Sequence, residues 1–122
     1  MATIVKYLQN NNLNSLSILE VGSGSYGITP YLKRKIDGVD VEFDEGNYPL
    51  LNQIKGSATN LPMPNSSYDI VLMSDVLEHI LPKLRKKCVD ECIRVARKMV
   101  LISGPFGKEA FAQDQKLALY SK

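Results

Sequence analysis

Several residue types and patterns are scarce in this chain of 122 residues. There are two cysteines, Cys88 and Cys92, and one histidine, His79. A disulfide framework needs more cysteines spread along the chain. A four-ligand zinc site needs more Cys and His than these, so no metal is expected. Cysteine usage of this kind suits a reducing cytoplasm. No run of 18 apolar residues occurs, so nothing here is expected to span a membrane. The first residues, MATIVKYLQNNN, lack the long apolar run and cleavage site of a signal peptide. Neither sign of charge dominates. A net charge of +2 is too mild to imply nucleic acid or an anionic membrane as partner. No internal repeat or low-complexity tract is present.

What remains is ordinary for a folded protein, with 44% hydrophobic and 23% charged residues. The length supports one domain, 1–122. Residues 3–11 show the spacing of a short amphipathic helix. SILEV (17–21) reads as a first strand ending at glycine. Thr29 and Pro30 look like the cap and first residue of a helix reaching Lys35. GVDVEF (38–43) is a second strand, 48–54 a short helix, and 55–58 a brief third strand. LPMPNSS (61–67) is a loop. YDIVLM (68–73) is a fourth strand, followed by a helix over 76–81 and another from Pro82 to Ala96. Leu84, Cys88, Cys92 and Val95 form the buried stripe of that longer helix. MVLIS (99–103) is a fifth strand, and 108–120 a last helix. This alternation predicts a Rossmann-like, doubly wound, mainly parallel five-stranded sheet with helices on both faces.

In such a sheet ligands bind beyond the C-terminal strand ends, where strand order reverses. The turn GSGSYG (22–27) lies there. Gly22 permits the tight turn, and Gly24 lets backbone approach a ligand. The spacing also satisfies the dinucleotide fingerprint G-x-G-x-x-G, so a nicotinamide cofactor stays open on this signal alone. Glu20, two residues before Gly22, would repel a pyrophosphate and attract a cation. Asp40, ending the second strand, can accept hydrogen bonds from both ribose hydroxyls, in either kind of cofactor.

Glu20-Val21-Gly22-Ser23-Gly24, Gly38-Val39-Asp40, GSATNLPM (56–63), YDIV (68–71), SDVLEH (74–79) and ECIRVARKMVLIS (91–103) together resemble class I S-adenosylmethionine-dependent methyltransferases of the type 11 kind. The resemblance covers nearly the whole chain. It implies S-adenosyl-L-methionine as cofactor and methyl transfer to a small-molecule acceptor. The alternative is an inactive or partner-dependent cofactor-binding subunit. Carried over residue by residue, it assigns Glu20, Gly22, Ser23, Gly24, Asp40, Val41, Ser57, Ala58, Ser74 and Asp75 to the cofactor; at Ser23, Tyr26 and Gly27 the match to the family's turn is looser, because its third glycine is displaced by one. It names no catalytic residue. Asp75 and His79 follow the fourth strand, on the reacting side. Packing or helix capping is the expected role of His79, and core packing that of the cysteines. Lys83, Arg85, Lys86 and Lys87 are expected to form a solvated helix face. Tyr48 and Phe106 are further candidates for substrate contact.

Two departures from the family stand out. Ser57 occupies a position where relatives commonly carry an acidic residue that accepts from the adenine amino group. The family fold also has seven strands, against five expected here. That predicts a domain shortened at its C-terminal end, with the fifth strand as a bare edge. A homodimer or partner chain would then be expected to cover it.

Overall fold

The computed structural model describes residues 2–13, 15–105 and 115–122. The elements are α1 (Ala2–Asn10), β1 (Ile18–Val21), α2 (Thr29–Leu32), β2 (Ile36–Asp40), β3 (Leu51–Lys55), β4 (Tyr68–Ser74), a 3₁₀ turn (Leu77–His79), α3 (Pro82–Val95), β5 (Ala96–Pro105) and β6 (Gln115–Ser121). The strands form one sheet in the order β3-β2-β1-β4-β5-β6. All pairings are parallel except β5 with β6.

Side-chain alternation along the central strands builds two cores, one on each face. Leu19, Val71, Met73, Val100 and Ile102 point toward α3, where they pack with Cys92 and Val95. Ile18, Ile70, Leu72 and Leu101 point the other way, against Ile4 and Leu8 of α1 and Leu32 of α2. Covered on both faces, β1 and β4 can be near-continuous apolar runs. Helices on both faces of a mainly parallel sheet are as the alternation predicts.

Three expectations are corrected. The sheet has six strands, not five, because 115–121 is a strand and not the end of a helix. Residues 108–114 of the expected last helix lie outside the described residues. β6 pairs along β5 from Met99↔Ser121 to Pro105↔Gln115, so the edge expected to be bare is covered by the chain itself. Residues 51–54, expected as the end of a helix, form with Lys55 the edge strand β3, in register with β2 from Ile36↔Leu51 to Asp40↔Lys55, so the third strand expected at 55–58 lies earlier in the chain. Its side chains are mostly exposed and give little apolar pattern to read. Smaller shifts occur elsewhere. α2 stops at Leu32, where Lys33 turns left-handed at φ +58°, and the expected helix at 76–81 is only the 3₁₀ turn. No helix among the described residues is long and apolar enough to cross a membrane.

Candidate functional site

Strand order reverses between β1 and β4, so the loops leaving their C-terminal ends diverge and open a crevice. The glycine turn leaves β1 and Ser74-Asp75 leaves β4. The amide of Gly22 donates to Val39 O at 2.8 Å, folding the turn back toward β2. Gly22 sits at φ +71°, and a Cβ there would lie 2.7 Å from Val76 Cγ2. The two loops thus meet at a point that admits no side chain.

Glu20 holds the far end of this turn. It faces the α1–α2 side of the sheet, is 2% exposed, and accepts the Ile28 amide at Oε1, 2.8 Å away. This bond takes the place of the side-chain cap expected from Thr29. Thr29 instead donates its hydroxyl to Tyr26 O, and α2 has no side-chain cap. Gly27, at φ +58°, packs directly on that carboxylate: a Cβ there would be 2.2 Å from Glu20 Oε1. The third glycine therefore serves Glu20. Burial pushes the Glu20 carboxyl up to about 7, against the opposing pull of the Ile28 amide.

Asp40 ends β2 and braces the same turn. Its Oδ2 accepts the Gly24 amide at 2.8 Å and its Oδ1 the Val41 amide at 2.7 Å. An ionised carboxylate has about four lone-pair sites. Each oxygen therefore keeps one for a further donor. Val41 is 66% exposed beside it.

Gly56 to Asn60 form a tight loop after β3. Ser57 Oγ and Thr59 Oγ1 lie 2.8 Å apart, and the Thr59 amide donates to Ser57 Oγ at 3.2 Å. Arg94 of α3 clamps the next segment. It donates from Nη1 to Met63 O (2.9 Å) and Asn65 Oδ1 (2.8 Å), and from Nη2 to Leu61 O (3.1 Å). Its partner Glu91 accepts the Leu61 amide at 2.8 Å.

The glycine turn, the end of β2, the loop after β3 and the segment after β4 border a cavity of about 470 Å³, within the usual range for small-molecule sites. Of the expected residues, Gly22, Asp40, Val41, Ser57 and Ala58 line it. Glu20, Ser23, Gly24, Ser74 and Asp75 do not. Ser23 and Gly24 belong to the turn itself, Ser23 Oγ donating to Gly24 O. Ser74 is buried at the end of β4, with Ser103 Oγ donating to its hydroxyl at 3.3 Å. Asp75 takes a left-handed conformation at φ +57°, its amide donating to Ser103 O at 3.0 Å.

The wall also contains Val39, Gly56, Thr59, Val76, Ile80 and Cys88, which the motif reading leaves out. Four of them, Val39, Gly56, Thr59 and Val76, lie inside the motifs already quoted, each one residue from an assigned position, and Ile80 directly follows the last motif. Cys88 comes from another element. Its thiol, raised by burial, forms part of the wall as well as the core. His79 also lines the cavity and does not pack on the sheet as expected. Its side chain is 78% exposed, with Nε2 3.6 Å from Glu78 Oε1. Tyr48 lies outside this cavity. Its hydroxyl donates to Asp44 and its ring sits 5.8 Å from that of Tyr26. Phe106 lies outside the described residues.

Comparison with known proteins shows the family. Residues 19–102 match the family described as methyltransferase domain. A Mycolicibacterium smegmatis protein named "probable S-adenosylmethionine-dependent methyltransferase" is 32% identical over 100 residues, covering 72% of this chain and 37% of that protein. A similarly named Mycobacterium tuberculosis protein is 31% identical over 100 residues, covering 72% of this chain and 35% of that one. The chain thus spans little more than a third of these relatives' length. Among solved structures, magnesium protoporphyrin IX methyltransferase from Synechocystis, with bound S-adenosylhomocysteine, superposes with a TM-score of 0.70 at 14% identity. That match covers 88% of this chain and 55% of that one. An S-adenosylmethionine-dependent methyltransferase from Aquifex aeolicus gives 0.64 at 21% identity, covering 87% of this chain and 66% of that one. The chain belongs to the methyltransferase domain family, whose cofactor is S-adenosylmethionine.

Proposed function

We propose that residues 1–122 form one domain that binds S-adenosylmethionine in this cavity and transfers its methyl group to a small-molecule acceptor, in the cytoplasm. The observation that carries the reading is Asp40. It ends β2, braced against the glycine turn, with both oxygens anchored to backbone and a lone pair left on each. The bound cofactor supplies a methyl group on an already activated sulfur leaving group.

The chain's own residues then have three tasks. Asp40 receives the two ribose hydroxyls. The Gly22–Gly24 turn, which leaves no side chain toward the ligand at Gly22, positions the amino-acid portion. Ser57, Ala58 and Thr59 flank the base, where Ser57 offers a neutral oxygen already shared with Thr59. Val39, Val76 and Ile80 form apolar wall that excludes water. What remains for catalysis is alignment of the acceptor, so proximity supplies most of the rate. His79, at the cavity and open to solvent, can receive a proton if the acceptor carries one.

Calorimetric titration with S-adenosylhomocysteine, followed by methyl-transfer assays against a panel of small acceptors, tests this. One-to-one binding with transfer to at least one acceptor is expected. Folded protein giving no heat at millimolar ligand contradicts it.

A further inference from the structure

The loop after β3 abuts Asp40. The Gly56 amide donates to Asp40 O at 3.0 Å, and Ser57, Ala58 and Thr59 continue the cavity wall beyond it. A bridge between Ser57 and Asn60 closes the loop, with the Asn60 amide donating to Ser57 O at 3.1 Å. The backbone thus holds the Ser57 and Thr59 hydroxyls together. Asp40 is the one acidic side chain among the described residues of the wall, and its free lone pairs are those assigned to the ribose. A base lying past the sugar therefore meets hydroxyls and no second carboxylate.

What this pair presents follows from its protons and lone pairs. Two hydroxyls hold two protons and four lone pairs. One proton and one lone pair are used between Ser57 Oγ and Thr59 Oγ1, 2.8 Å apart, where either hydroxyl can donate. The Thr59 amide occupies another lone pair by donating to Ser57 Oγ at 3.2 Å. One proton and two lone pairs are left. When Thr59 donates to Ser57, the free proton is on Ser57 and the free lone pairs are on Thr59. When Ser57 donates, the free proton moves to Thr59 and each oxygen keeps one lone pair. Either way the loop offers a donor and an acceptor side by side, and reversing one hydrogen bond exchanges them. An ionised carboxylate in the same place would only accept.

A 6-aminopurine has a donor at its exocyclic nitrogen and an acceptor at N1. A 6-oxopurine has the opposite order, an acceptor followed by a donor. We propose, on the reading of this cavity as the cofactor site, that Ser57 and Thr59 are its base-specificity residues, and that their exchangeable hydroxyls admit 6-oxopurine as well as 6-aminopurine nucleosides. A site that only accepts leaves lone pairs facing the oxo group, and buried groups left unpaired are what reject an analogue. The hydroxyl pair leaves none.

The test compares S-adenosylhomocysteine with its deaminated counterpart, S-inosylhomocysteine, by calorimetry on the folded chain. The two affinities are expected to lie within about fivefold of each other, the size of one neutral hydrogen bond. Ser57→Asp should keep S-adenosylhomocysteine binding and widen the gap by about tenfold or more against the inosine compound. Thr59→Val removes the exchange partner and should weaken both ligands alike. A larger preference for the adenosine compound in the parent chain overturns the proposal and leaves the cofactor reading standing. So does a preference that Ser57→Asp does not change while its circular dichroism spectrum stays native. If neither ligand binds, the cofactor reading falls and this proposal falls with it.

Discussion

In the unfolded chain Glu20 titrates near its ordinary value of 4.5; in the fold it titrates near 7 because it is buried. The folded state therefore holds this proton more tightly, and the sign of the pH effect follows. The full contribution is present below 4.5 and is lost as pH rises through about 7, to a total of roughly 3 kcal/mol. Urea unfolding across pH 5–8 should show that decline. Glu20→Gln keeps an oxygen for the Ile28 amide and should flatten this part of the profile. Gly27 rests on the same carboxylate, so Gly27→Ala combines a strained backbone with a clash and should cost about 3 kcal/mol or more in unfolding free energy. Asp40→Ala removes the carboxylate that faces the cavity. Two hydrogen bonds to a charged group are worth about 1.5–3 kcal/mol each. S-adenosylhomocysteine affinity by calorimetry should therefore fall about 100-fold or more. Gly22, Asp40, Val41, Ser57 and Ala58 were legible as cavity residues because short motifs mark the ends of successive strands. The position of Glu20 beneath the turn was not. An alternating strand places it on the face opposite Leu19 and Val21, but only the packed helices show what lies there.

Elements were legible where burial dictates the sequence. β1, β4 and α3 carry apolar runs or stripes because the fold covers them. β3 and β6 are edge strands, rich in Leu, Lys, Gln or Ala, and these residues favour helix intrinsically. Pairing with β2 and β5 overrides that preference, and no local signal announces it. The Arg94 clamp likewise joins α3 to a loop some thirty residues earlier. Arg94→Ala strips two loop carbonyls and Glu91 of their partner and should cost about 2 kcal/mol by chemical denaturation. Lysine lacks the planar fork that reaches several acceptors at once and should restore little of it. Ending the chain before Gln115 would expose β5 along its length. Size-exclusion chromatography of that variant should show aggregates where the parent elutes as one discrete species.

At the scale of the molecule, the reversal of strand order is what gathers residues 22, 40, 57 and 79 around one cavity. The parallel α/β class follows from the alternation of strand and helix, and the place of the site follows from the class. The central claim is that this crevice, between the glycine turn and Asp40, is where the cofactor binds. An amide-resolved NMR titration with S-adenosylhomocysteine tests it most directly. The account predicts saturable shifts concentrated at Gly22, Gly24, Val41, Ser57 and Ala58. Shifts clustered elsewhere on the sheet, or none at millimolar ligand, would contradict it.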